Sequence, residues 1–234
     1  MAMMELAEPG TQPEYHFPPY VSTIARSPRM PLVLLPRPQM EQSGPVFGQG
    51  LIGERDNDLT VHHAGDPIGE RILVHGRVLD ETGRPVRGAL VEVWQANAAG
   101  RYRHKVDTYD APLDPNFAGG GRTLTDNNGC YWFKTIKPGP YPWGNHHNAW
   151  RPSHIHFSLF GAGILSRLVT QMYFPGDPLH PLDPIFNSIP DAAARARLIS
   201  SLDMDRSESN YLLAYKWDIV LRGRADTPFE ERKQ

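Results

Sequence analysis

Residues 70–97 read ERILVHGRVLDETGRPVRGALVEVWQAN, and the reading of this stretch decides the fold class. ERILVHGRVLD (70–80) has the β-branched, apolar character of a strand, and ETGRP (81–85) closes it as a turn. RGALVEVWQAN (87–97) then reads as its antiparallel partner. Working outward, further strands are expected at GCYWFKTI (129–136) after the turn DNNG, at SHIHFSLF (153–160), at SRLVTQMYF (166–174) and at NYLLAYKWDIVLRG (210–223). Only PDAAARARLISSL (190–202) reads as a helix. The fold expected is all-β: an antiparallel β-sandwich with long ordered loops, an extended N-terminal arm and one short helix.

The arm is residues 1–70, where the Pro-rich pieces FPPY and ARSPRMPLVLLPRPQ show little sustained periodicity. A segment of this kind wraps a surface, and a partner chain is one candidate. Residues 71–234 form the sandwich domain. The 234-residue chain is long enough for one sizeable core. Its 23 Pro and 21 Gly are spread between apolar segments, as short strands joined by ordered loops require.

With 24 basic and 26 acidic residues the formal charge is -2, so no strong field points to nucleic acid or an anionic membrane. A small-molecule substrate is the better expectation. Cys130 is the single cysteine, which excludes an internal disulfide and a cysteine-held metal cluster. The opening MAMMELAEPGTQPEYHFPPY has no charged n-region followed by an apolar run, and no stretch of about 18 apolar residues occurs. A cytoplasmic protein that does not span a membrane is expected.

In SHIHFSLF, strand alternation puts His154, His156, Ser158 and Phe160 on one face and Ile155, Phe157 and Leu159 on the other. Two imidazoles at i and i+2, backed by an apolar face, are a reasonable metal pair. The preceding IKPGPYPWGNHHNAWRPSHIHF reads as a stiff, ordered loop carrying Tyr141, Trp143, Trp150 and Arg151. Two readings of Tyr141 stand side by side: a phenolate metal ligand, or a ring packed under the loop with its hydroxyl hydrogen-bonded.

The strings GRYRHK (100–105), APLDPNF (111–117), TIKPGPYPW (135–143) and WRPSHIHF (150–157) resemble the intradiol ring-cleavage dioxygenases, in the two-chain branch that acts on protocatechuate. The likeness runs in order from PPYVSTIARSP through PIGERILVHGRVLD and VEVWQANAAGRYRHK to DIVLRG. It implies one non-haem Fe(3+) per chain, held by Tyr102, Tyr141, His154 and His156. Phenolates are hard anionic donors suited to ferric iron. Tyr109, seven residues after Tyr102, is set aside by its place in the motif.

The resemblance further implies that protocatechuate is cleaved by dioxygen between its two hydroxylated carbons to 3-carboxy-cis,cis-muconate, a reaction of the beta-ketoadipate pathway. Tyr141 would be displaced by substrate, Arg151 would stabilise developing anions, and Gln171 would orient oxygen intermediates. Trp94 and Trp143 would wall the ring pocket with Tyr173 and Ile185 nearby, and Tyr20 and Arg26 would lie on the substrate's carboxylate side. It also implies a related alpha chain, pairing with this one in a larger oligomer.

Among the other histidines, His62, His63, His75, His104 and His180 are expected on the surface or in hydrogen bonds, with His146 and His147 left open. Rival readings are a catechol or hydroxyquinol intradiol enzyme, a non-enzymatic β-sandwich binding module, and a ferrous oxygenase with two histidines and a carboxylate.

Overall fold

A computed structural model describes residues 8–31, 52–144, 149–161 and 167–230. His146 and His147 lie outside the described residues. Two sheets face each other. The first is built on β1 (Arg71–Leu79), which pairs antiparallel with β4 (Cys130–Ile136) on one side. On its other side β1 runs parallel to β10 (Leu212–Lys216) and β11 (Ile219–Val220), and β9 (Ser201–Glu208) pairs antiparallel with β10 at the edge. The second sheet has the order β3 (Gly120–Leu124), β2 (Leu90–Trp94), β7 (His154–Phe160), β8 (Leu168–Tyr173), all antiparallel. A small hairpin, β5 (Tyr141–Trp143) with β6 (Ala149–Arg151), stands apart from both.

The core lies between the sheets because each strand turns one face inward. Ile72, Val74 and Val78 of β1 and Tyr131 and Phe133 of β4 meet Val91, Val93, Ile155, Phe157 and Leu159 from the opposite sheet. Phe157 is the hinge of this packing. Its ring lies 5.8 Å from Tyr131, 6.2 Å from Phe133 and 4.9 Å from Trp217.

Four expectations need correction. The turn after β1 is present, with Asp80 accepting from the Thr82 and Arg84 amides, but β1 and β2 are not partners. At Gly88, φ +66°, the chain leaves the turn and crosses to the opposite sheet. The sandwich is mixed, not purely antiparallel, because β10 and β11 run parallel to β1. There are two short helices among the described residues, not one: α1 (Ser22–Arg26) in the arm and α2 (Ala192–Ala196). The second is shorter than 190–202, because Leu198 and Ser200 leave the helix to hydrogen-bond the backbone of Tyr173 and the chain continues into β9.

The described part of the arm lies on its own chain. Glu14 N donates to the Ser188 carbonyl, Asp191 N donates to the Gly10 carbonyl, and the buried Gln12 reaches Asp226 and Phe229. No helix among the described residues is long and apolar enough to cross a membrane.

Candidate metal centre

β7 carries out the alternation its sequence predicts. Ile155, Phe157 and Leu159 enter the core, while His154 and His156 face away from it and are still buried. Across the sheet, Tyr173 is opposite His154, Gln171 is opposite His156 on one side and Trp94 on the other. The Trp94 ring stacks on His156 at 4.8 Å and 4°.

The two tyrosines arrive on separate loops that are locked backbone to backbone. Asn97, buried at the end of β2, accepts from the Ala99 and Arg101 amides and donates to the Pro112 carbonyl. Its own carbonyl accepts from Gly139 N, which ties the 97–102 turn to the loop before Tyr141. Gly100 has φ +78°, and a Cβ there would lie 2.2 Å from the Pro140 carbonyl oxygen. No other residue fits so close an approach. Asp107 then accepts from the Tyr102 and Tyr109 amides and sets the direction of the following loop.

The result is a convergence of four donor atoms. His156 Nε2 lies 3.1 Å from Tyr102 Oη, and His154 Nε2 lies 3.3 Å from Tyr141 Oη. The other nitrogen of each ring is engaged: His154 Nδ1 lies 2.6 Å from the Pro152 carbonyl and His156 Nδ1 lies 2.9 Å from Glu230 Oε2. With the proton on Nδ1, each Nε2 keeps a lone pair toward a phenol.

Electrostatics agree. Burial pushes the His154 imidazole well below its usual range, helped by Arg151 and His156, so it is neutral. Burial also pushes the Tyr102 phenol well above the usual range, with Tyr141 adding to the effect. Tyr141 is raised by burial too, against the opposing pull of Arg151. Both phenols thus stay protonated unless a cation is placed among the four atoms, where ionised oxygens would be favoured. Among the described residues no group of three or more His, Cys, Asp or Glu side chains is arranged to hold a metal, so a site here needs the phenols.

A cavity of about 700 Å³ opens beside the two phenols. Tyr109, Pro142, Trp143 and Trp150 line it together with Tyr102 and Tyr141. Tyr109 packs edge-on to Trp150 at 6.1 Å and takes no part in the four-atom cluster.

Arg151 sits behind Tyr141, its partner across the β5–β6 hairpin. Its guanidinium is buried, ion-paired through Nε to Asp183 Oδ1 at 2.9 Å, and donates to Tyr173 Oη and Gln171 Oε1. Burial opposes its charge, but Asp183 together with Tyr173, Tyr141 and Glu230 outweighs that and holds it firmly protonated. The guanidinium carbon lies 5.6 Å from the Trp143 ring. Trp143 in turn meets Tyr20 of the arm edge-on at 4.9 Å, and Arg26 lies over Tyr20 at 4.4 Å. Ile185 is buried in the loop after Asp183, to whose Oδ1 its amide donates.

The matches to known proteins follow this geometry. A family model described as Dioxygenase matches residues 42–223, and one described as Protocatechuate 3,4-dioxygenase beta subunit N terminal matches residues 7–37. The protocatechuate 3,4-dioxygenase beta chain of Burkholderia cepacia is 60% identical over 222 residues, 94% of each chain. This chain belongs to the protocatechuate 3,4-dioxygenase beta-chain family.

The family has a wider kinship. The alpha chain of protocatechuate 3,4-dioxygenase from Pseudomonas putida is 34% identical over 86% of this chain and 98% of its own. The solved structure of 3-chlorocatechol 1,2-dioxygenase from Rhodococcus opacus 1CP superposes with a TM-score of 0.56 at 26% identity, covering 76% of this chain and 70% of that one.

Two residues of the site have no counterpart in the sequence reading. Asp183 anchors Arg151, and Glu230 anchors His156. Asp183 lies in HPLDPIF, whose PLDP echoes APLDPNF, where Asp114 caps its own turn. That echo was the one available signal for Asp183. For Glu230, near the end of the chain, there was none.

Proposed function

We propose that this chain cleaves protocatechuate with dioxygen between the two hydroxylated carbons, at a ferric ion held by Tyr102, Tyr141, His154 and His156. The observation that supports this reading is the convergence of two imidazole Nε2 atoms, their tautomers set by Nδ1 contacts, on two buried phenol oxygens. The donor set fits the metal: two hard oxygens that ionise beside a cation, and two borderline nitrogens. Bound there, ferric iron would supply the Lewis acidity that keeps the substrate oxygens anionic and opens the ring to dioxygen.

The chain's own groups do the rest. Tyr141 Oη, ionised once a cation is held beside it, would take up one proton from a substrate hydroxyl. Trp143 holds one face of the ring with Trp150 beside it at the exposed rim of the cavity, and Trp94, the other expected wall, stacks on His156. Arg151, kept cationic by Asp183, supplies fixed positive charge for the anions that develop during cleavage. Gln171 Oε1 accepts from Arg151 and Tyr173 while its amide nitrogen lies toward Glu230, and by the same reading this fixed side chain orients oxygen-derived species. Tyr20 and Arg26 carry the arm to the edge of this pocket, where the guanidinium suits a carboxylate.

By the same reading the chain pairs with a related alpha chain, as the kinship to an alpha chain supports. The test is the visible spectrum of the protein, co-produced with an alpha-type chain, before and after anaerobic protocatechuate. A broad tyrosinate band that shifts on addition is the expected outcome. Stoichiometric iron with no such band would overturn the ligand set. A band that responds to catechol and ignores protocatechuate would keep the chemistry and change the substrate.

A further inference from the structure

We propose that Glu230 is a positioning residue for His156, and that the terminal strap 226–230, clamped by Gln12 of the arm, is a working part of the metal centre. The inference rests on the ligand set proposed above and deepens it.

The two imidazoles are supported differently. His154 gives its Nδ1 proton to the Pro152 carbonyl, a neutral acceptor two residues away. His156 faces the Glu230 carboxylate at 2.9 Å, across 74 residues of chain. A neutral imidazole can carry its proton on either nitrogen, and only the Nδ1–H form presents a lone pair at Nε2. A carboxylate on Nδ1 selects that form, fixes the ring's rotation and makes Nε2 the more electron-rich donor. His156 and Glu230 side chains are only 9% and 17% exposed, so water competes weakly for either.

Glu230 can do this because the strap beneath it is fastened on several sides. Its amide donates to the Val169 carbonyl, and Thr170 Oγ1 donates to the Pro228 carbonyl, which lays the strap along β8. Arg197 Nε donates to the Asp226 carbonyl and Thr227 N donates to the Val220 carbonyl. Gln12 completes the clamp. Its Nε2 donates to Asp226 Oδ2 and its Oε1 accepts from Phe229 N, both at 2.9 Å, with the side chain buried. An arm residue 217 positions away thus holds the amide next to the carboxylate that orients a ligand.

The test uses the full chain co-produced with an alpha-type chain, loaded with ferric iron, as wild type, Glu230→Gln, Glu230→Ala and Gln12→Ala. The readout is decay of the tyrosinate band in excess EDTA, with the Tm of the metal-free protein measured alongside. Glu230→Gln keeps the shape, but its amide can donate to Nδ1 and favour the wrong tautomer. Both Glu230 variants are expected to release iron roughly 10- to 100-fold faster than wild type with an unmoved metal-free Tm, and Gln12→Ala to fall between.

Equal release from wild type and Glu230→Gln, with the wild-type band present, overturns the inference and leaves the ligand set standing. Faster release matched by an equal fall in metal-free Tm in both Glu230 variants assigns the carboxylate to the fold alone and also overturns it. A wild-type protein holding iron without the band overturns ligand set and inference together.

Discussion

At Arg151 a full positive charge is buried, 2% exposed, against an Asp183 carboxylate that is 0% exposed. Such a pair tolerates loss of both partners better than loss of one, because a lone buried charge keeps the desolvation cost without the compensating attraction. Asp183→Asn is therefore expected to lower stability by about 3–5 kcal/mol in urea unfolding. The double variant Arg151→Met with Asp183→Leu should recover most of that stability while remaining inactive; recovery of activity would remove Arg151 from the chemistry. The histidine pair was legible in the sequence because alternation is a local property, readable within the seven residues of β7. The tyrosines became legible only through their motifs. Asp183 and Glu230 act on groups 32 and 74 residues distant, and nothing in a neighbouring residue encodes such a contact.

The elements that could be read were those whose apolar residues face the core, β1, β2, β4, β7, β8 and β10. Those missed have other origins. β3 is GGRTL, whose glycines lack strand propensity, and Gly121 is needed because Leu59 and the Asp56 carbonyl press against it. β9 puts Leu202 and Met204 on one face, but both are exposed and the rest of the strand is polar, so it carries no core-facing pattern. The β5–β6 hairpin contains a proline and reads in the sequence as a stiff, ordered loop without strands, yet its pairing is what brings Tyr141 alongside Arg151. The expected β1–β2 hairpin failed at one glycine that redirects the chain after a correctly read turn. At this scale the decisive junction is between the two tyrosine loops. Gly100→Ala must either strain a residue at φ +78° or push the 97–102 turn off Pro140. The expected outcome is a loss of at least about 1–2 kcal/mol together with a shifted or weakened visible band, because Tyr102 moves relative to Tyr141. A variant with an unchanged spectrum would show that the loops are not held by this contact.

Across the molecule, buried histidines set the response to acid. Burial lowers the His75 pKa, with Arg206 and Lys216 adding and Asp203 opposing. Burial lowers that of His180 as well, partly offset by Asp177 and Asp183. The folded values lie below the unfolded value of about 6.5, so the unfolded chain binds more protons beneath it. Stability is then fully present above about pH 6.5 and is lost as pH falls toward the folded values, by at most about 1.4 kcal/mol per pH unit for each histidine. Urea midpoints of the metal-free protein should fall between about pH 7.5 and 5.5; a rising midpoint would contradict the assignment. The parallel seam of the first sheet has a consequence in time. β1 needs partners from the last quarter of the chain, and the Arg77 amide bonds Asp218 across 141 residues. During synthesis β1 can zip to β4 early, but its other edge waits for residues 212–220 to leave the ribosome, open meanwhile to any strand nearby. The candidate centre's histidines on β7 are made before that edge closes, so a nascent chain carries its proposed ligand residues before it has a finished core to hold them.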